Sequence, residues 1–369
     1  GRLVNVVPQY QSANPDEHIP RKRTARDPAT GEYSRIVIGA VQRRGLPRSR
    51  TSLDTIVELD STDPRVGQAS AFHSQAATAL RKGRFTDAVA PATEALRLRE
   101  ALPGQPRVEV ADSLLQVGQA YLNRGEHYKD ARAVLERARD AYTATLGANH
   151  PATAACLHEL ATLEEDRGDF FTANQLYEQA GRVIAATRGK QTAEYARSLN
   201  RQGRMHAIWR VDFAEGKVMT ALSIREQVLG KAHPDYAESL QDLGDICVSC
   251  FDFDRAERVL TEALAIQEKA LGPDHPDVAV TLCSLGQLAE QTGDYLRARR
   301  YHQRALALME RARGRKHLRF ADCLHASAWL HDQEQDNPRA IRMYEEERAM
   351  RQEAACDKHP AYRKYRSSF

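Results

Sequence analysis

The sequence predicts an all-α solenoid of about seven helix-turn-helix repeats behind an extended basic N-terminal arm, and three observations carry that prediction. The composition is helical: of 369 residues only 7% are aromatic and 28% are charged, and alternating runs of Val, Ile and Thr are almost absent. The text is periodic: Pro64 and Pro106 lie 42 residues apart, as do Pro234 and Pro276, and Pro276 and Pro360 lie two periods apart. Each period also divides into two halves with different landmarks.

The first half of each unit carries a Leu followed four residues later by Gly or Ala: Leu114 to Gly118, Leu157 to Ala161, Leu199 to Gly203, Leu240 to Gly244, Leu282 to Gly286 and Leu324 to Ala328, with Phe72 to Ala76 as a weaker first copy. The second half carries alanines seven apart: Ala88/Ala95, Ala131/Ala138, Ala173/Ala180, Ala214/Ala221, Ala256/Ala263 and Ala298/Ala305, the seventh pair being Ala340 and Glu347. Seven residues are two helical turns, so each pair shares one face, where small side chains let a neighbouring helix come close. Between the halves stand turns such as Gly168-Asp169-Phe170 and Gly293-Asp294-Tyr295, in which Gly ends one helix and Asp caps the next. In the fifth unit Phe251 takes the place of that glycine.

Four His-Pro pairs, His150-Pro151, His233-Pro234, His275-Pro276 and His359-Pro360, open units, and Lys316-His317-Leu318 keeps the histidine without the proline. A proline suits the first position of a helix, where an N–H has no partner. Successive pairs belong to units separated by two helix layers, roughly 15–20 Å, too far to share one metal ion. They therefore read as turn punctuation, neither metal nor catalytic. Cys247-x-x-Cys250 is half of a zinc spacing with no second half nearby, and reads as helix core. Gly189-Lys190-Gln191-Thr192 echoes the end of a phosphate loop but has Ile184 where the first glycine belongs and follows no strand. No catalytic residue, metal ligand, cofactor or small-molecule substrate is expected. Trp209 reads as a local core adjustment of an irregular unit, with an exposed partner anchor as the alternative, in which case it and Phe251, at bulky turns of adjacent units, would mark one docking surface.

The paired helices, the paired alanines, the opening proline and the stretch Leu271-Gly272-Pro273-Asp274-His275-Pro276 resemble the tetratricopeptide repeat (TPR), in the 42-residue form found in kinesin light chains. The resemblance covers residues 64 to 369. It implies a right-handed superhelix with a concave protein-binding groove and no chemistry of its own. Kinesin light chains line that groove with paired asparagines; the matching positions here are Leu115/Gln116, His158/Glu159, Asn200/Arg201, Gln241/Asp242, Cys283/Ser284 and His325/Ala326, and only Asn200 survives. Glu159, Asn200, Arg201, Gln241 and Asp242 are the candidate partner groove, weighed against their being solvated inner-face residues.

Charge is uneven. Net charge is +3, yet from Gly1 to Ser52 ten Lys and Arg stand against four Asp and Glu, so a basic arm precedes a mildly acidic body. Arg21, Lys22, Arg23 and Arg26, then Arg43, Arg44, Arg48 and Arg50, are candidate arm contacts. The domain plan is an arm over 1–60, a solenoid over 61–359 and a basic tail or partial repeat over 360–369. The six dispersed cysteines predict a reducing compartment, and with a mean hydropathy of −0.59 no window is apolar enough for a membrane span, so the protein is expected to be soluble and intracellular. Gly1 in place of Met suggests a processed or trimmed start, and the Arg-heavy arm favours a mitochondrial over a cytoplasmic location. The expected function is a non-enzymatic scaffold subunit of a multi-subunit assembly. The alternatives are a kinesin-light-chain-like cargo or signalling adaptor, and a ribonucleoprotein subunit touching RNA backbone through its arm.

Overall fold

The computed structural model describes residues 63–103, 107–125, 128–208 and 211–354. All lie in the second of two units into which the chain divides, residues 56–369; the first is residues 1–55. The basic arm, Trp209, Cys356 and the C-terminal tail lie outside the described residues.

The described residues form seven antiparallel helix pairs: α1 Pro64–Arg81 with α2 Phe85–Glu100, α3 Arg107–Arg124 with α4 Tyr128–Leu146, α5 Pro151–Asp166 with α6 Phe170–Thr187, α7 Ala193–Ala207 with α8 Val211–Leu229, α9 Pro234–Ser249 with α10 Phe253–Leu271, α11 Pro276–Gln291 with α12 Tyr295–Arg313, and α13 Leu318–Gln333 with α14 Asn337–Glu353. The predicted landmarks are where the pairs touch. All six complete alanine pairs are buried, none more than 1% exposed. Opposite each pair lies the small residue of the first helix: a side chain on Gly118 would run into Leu135, on Gly203 into Val218, on Gly244 into Leu260 and on Gly286 into the His302 ring. Small against large in these four pairs sets the spacing of their two helices. Ala305→Leu should therefore destabilise the protein by about 1–3 kcal/mol, because an overpacked helix contact cannot relax without moving backbone. A urea melt showing no change would mean that α11 and α12 are held apart by other contacts.

The turns also follow local chemistry. Gly83, Gly168 and Gly293 adopt left-handed φ of +66°, +80° and +79°, and Asp169, Asp252 and Asp294 cap the following helices by accepting from the N–H three residues on. Phe251 keeps the same left-handed turn without being glycine, at φ +62°, with its ring 74% exposed. Among the described residues each histidine of the unit-opening motif is itself an N-cap: Nδ1 of His150, His233, His275 and His317 accepts from the N–H two residues on, at 3.0–3.2 Å, while His359 lies outside the described residues. His317 caps identically although Leu318 replaces the proline, which is why the register survives there. Thr192, of the phosphate-loop-like stretch, caps α7. Cys247 packs in the core around Leu260 and Leu285, and Cys250 is exposed.

The array does not stay open. Its beginning meets its end: Arg313 Nη1 donates to Asn123 Oδ1 at 3.0 Å and stacks on the Phe85 ring at 4.6 Å, and the Leu318 N–H donates to the Tyr128 hydroxyl at 3.3 Å, across 190 residues.

Candidate functional site

Closure of the array encloses an inner channel, a cavity of 710 Å³ to which every first helix from α1 to α13 contributes. Its wall carries many charged side chains beside apolar ones such as Phe85, Leu122 and Leu271. Arg197, Arg201 and Arg204 stand four and three residues apart along one face of α7. They reach Glu159 and Glu165 of α5 on one side and Glu238 and Asp242 of α9 on the other: Arg197 to Glu159 at 3.2 Å, Arg204 to Glu165 at 2.5 Å and to Asp242 at 3.7 Å, and Arg201 to Glu238 at 2.5 Å. Arg225 of α8, 1% exposed, meets Glu238 at 2.9 Å. Arg319 of α13 crosses the channel to Glu165 at 3.6 Å and Asp166 at 3.4 Å.

The five candidate groove residues come together here, in unequal roles. Glu159, Arg201 and Gln241 line the channel. Asn200 is fully buried behind them and donates to Asp242, itself 1% exposed, which lines an adjoining cavity of 250 Å³. Glu159, Asn200, Gln241 and Asp242 are buried and Arg201 is largely so; none is a freely solvated inner-face residue. The reason is the ring: with the far wall in place, side chains that an open groove would hydrate are shielded. Several polar atoms keep no hydrogen-bond partner, among them Asn200 Oδ1 and Arg201 Nε and Nη1.

Electrostatics inside the ring are polarised. Burial opposes ionisation of Glu165, but Arg204, Arg201 and Arg319 outweigh it and hold its carboxyl below the usual range. Burial pushes Asp242 up to about 7 and Asp245 up to about 6, only partly offset by Arg204. Burial, reinforced by Arg197 and Arg201, keeps His158 neutral, its ring set edge-on to Tyr177 at 4.7 Å. Among the described residues no group of three or more His, Cys, Asp or Glu side chains is placed to hold a metal, and no helix is long and apolar enough to cross a membrane.

The sequence reading missed Arg197, Arg204, Glu165, Asp166, Glu238 and Arg319. A signal for part of this set was present: the spacing of Arg197, Arg201 and Arg204 marks one charged helical face, and carboxylates stand about one period away on each side. Nothing local points to Arg319.

Comparison with solved structures finds the same fold in a Rap conjugation gene regulator of plasmid pLS20 in complex with the Phr* peptide, 12% identical, with a TM-score of 0.64 over 83% of this chain and 80% of that one. A Rap protein complexed with Competence and Sporulation Factor is 14% identical, with a TM-score of 0.58 over 79% of each chain. A putative kinesin light chain of Podosopora anserina with nearly identical TPR-like repeats is 24% identical over 58% of this chain and 95% of that one, with a TM-score of 0.39. No curated protein matches the chain. The tetratricopeptide repeat profile matches residues 109–182, 210–269, 249–311 and 288–353, more than half of the sequence, and the chain belongs to the tetratricopeptide repeat family.

Proposed function

We propose that this protein is an interaction scaffold whose inner channel holds an extended polypeptide segment of a partner within a larger assembly. The observation that supports the reading best is the 710 Å³ cavity lined by guanidinium, carboxylate and amide groups, several of them with spare hydrogen-bonding capacity. An extended backbone offers a donor and an acceptor at every residue, the complement of such a wall. Of the Rap proteins that share the fold, one was solved in complex with the Phr* peptide and one with Competence and Sporulation Factor, which supports a polypeptide ligand for this fold. The arm basic clusters, outside the described residues, are proposed as a second contact to acidic protein in the assembly, by charge alone.

The test is site-specific photo-crosslinking of the full-length protein in its native cell. A photoreactive residue at Gln119, in the channel, should give a polypeptide adduct, and one at the exposed Arg300 of α12, outside it, should not. Adducts from position 300 alone would place the partner on the outer surface and end the channel reading.

A further inference from the structure

The two ends of the array meet in two places: Gly83 abuts His275 and Pro276, and the adjoining ends of α3 and α4 meet the α12–α13 turn in a second, lightly built seam. Its buried apolar cluster comprises Leu122, Tyr128, Ala131, Leu163 and Leu318, with Tyr121 and Ala354 packed against it, so only Leu318 and Ala354 come from the side of α13 and α14. Little apolar area therefore separates open from closed, in contrast to the alanine-lined contacts within each pair. The rest is polar and tightly fitted. Gly125 lies so close to His317 that a Cβ there would stand 2.6 Å from the His317 Cα. The Leu318 N–H is held by Tyr128, and Arg313 by Asn123.

At the centre of the seam His317 is fully buried, with both ring nitrogens committed. Nδ1 accepts from the Arg319 N–H at 3.0 Å, and Nε2 lies 3.1 Å from Arg313 Nη1 with the Leu122 backbone on the opposite side of the seam. The cap at Nδ1 leaves the one proton of the neutral ring on Nε2, directed at the Leu122 backbone because a guanidinium has no acceptor to offer. A second proton would have to go on Nδ1, breaking the cap of α13 and charging the ring. The groups facing it are unfavourable to that charge: Arg313 Nη1 lies 3.1 Å away on α12, Arg319 follows on α13, Tyr128 of α4 is neutral, and the α3 contacts are a carbonyl and a glycine. Asp166 of α5 and Asp277 of α11 face those guanidiniums rather than the imidazole.

We propose that this seam is a gate to the channel, which parts between Asn123, Gly125 and Tyr128 on one side and the α12–α13 turn on the other, and that protonation of His317 opens it. What passes through rests on the polypeptide reading above; the opening itself does not, and is measured without any ligand. Burial and the neighbouring Arg313 and Arg319 hold the closed-state imidazole well below its ordinary range, whereas in the open state it returns toward 6.5. The closed form is therefore the one that loses stability as pH falls through the open-state value.

Amide hydrogen exchange at Leu318 in the full chain reads the opening equilibrium once corrected for intrinsic rates. Between pH 7.5 and 5.0 it should rise about 30-fold, the ratio that a free imidazole of pKa 6.5 gives when the closed state refuses the proton. The amide of Leu260, in the core of α10, should not follow it. His317→Asn keeps a capping acceptor and cannot be charged, so its Leu318 exchange should be flat with pH; His317→Ser takes its place should the first variant not fold. Tyr128→Phe should raise Leu318 exchange at both pH values and preserve the 30-fold ratio. A change under about threefold in the wild type, the same pH response in the His317 variants, or parallel exposure of Leu260 would overturn the gate.

Discussion

Glu165→Ala should cost about 3–5 kcal/mol, the largest loss expected from any single substitution in the interior. The carboxylate is buried and is shared by Arg204 at 2.5 Å, Arg319 at 3.6 Å and Arg201 at 3.9 Å, with the Tyr177 hydroxyl donating to its second oxygen at 2.7 Å. Removing it leaves guanidiniums from two sides of the ring facing one another without their common counter-ion. The loss comes from those stranded charges and exceeds the net worth of the pairs themselves, because an intact buried ion pair roughly balances its own desolvation. Glu310→Ala provides the comparison: its pair with Arg315 at 3.2 Å is half exposed and should be worth less than about 1 kcal/mol. Urea melts at unchanged slope read both values. A cost below about 1 kcal/mol for Glu165→Ala would mean that water fills the interior and solvates the arginines.

Asp242→Asn should do the opposite at neutral pH and above, and stabilise the protein. Burial raises the Asp242 carboxyl from 3.8 to about 7, so between those values the folded protein holds a proton that the unfolded chain releases. A raised folded value means that stability from this group is fully present below pH 3.8 and is lost as pH climbs through 7, at about 1.4 kcal/mol per pH unit. Asparagine imitates the protonated acid and can still accept from Asn200, so the variant escapes that loss. His158 and His317, both held neutral by burial, work in the other direction and gain stability as pH rises through about 6.5. The informative quantity is therefore the difference between variant and wild type, in which the histidines cancel. It should be near zero at pH 4 and grow steadily in favour of Asn up to pH 7. A difference that stays constant across that window would show that Asp242 is ionised throughout.

These two residues illustrate how far the sequence could be read. Asp242 was legible as an inner-face position because the repeat register places it one residue after the position that Asn200 matches. Its burial was not legible, because an inner-face residue of an open superhelix is wet and the same residue in a closed ring is dry. Glu165 was not singled out at all: it stands beyond the small residue of the first helix, where repeat text is variable, and its partners come from the next unit and from a unit four repeats away. Phe251 was flagged as a bulky turn residue, and its left-handed backbone bears out the position of the turn, though nothing in the spacing reveals that its ring stays exposed.

The sequence by itself determined the helix pairs, their register, the buried alanine faces and the caps, since each of these depends on residues within one period and on chemistry that a turn of helix or a capping side chain imposes locally. Only the tertiary structure decided that Asn123 meets Arg313, that His317 is sealed against Leu122, and that the charged inner wall is enclosed. Where an array closes depends on small rotations at each unit-to-unit contact, summed over seven units. A change of a few degrees per contact would carry the two ends past each other, and no single repeat records that sum.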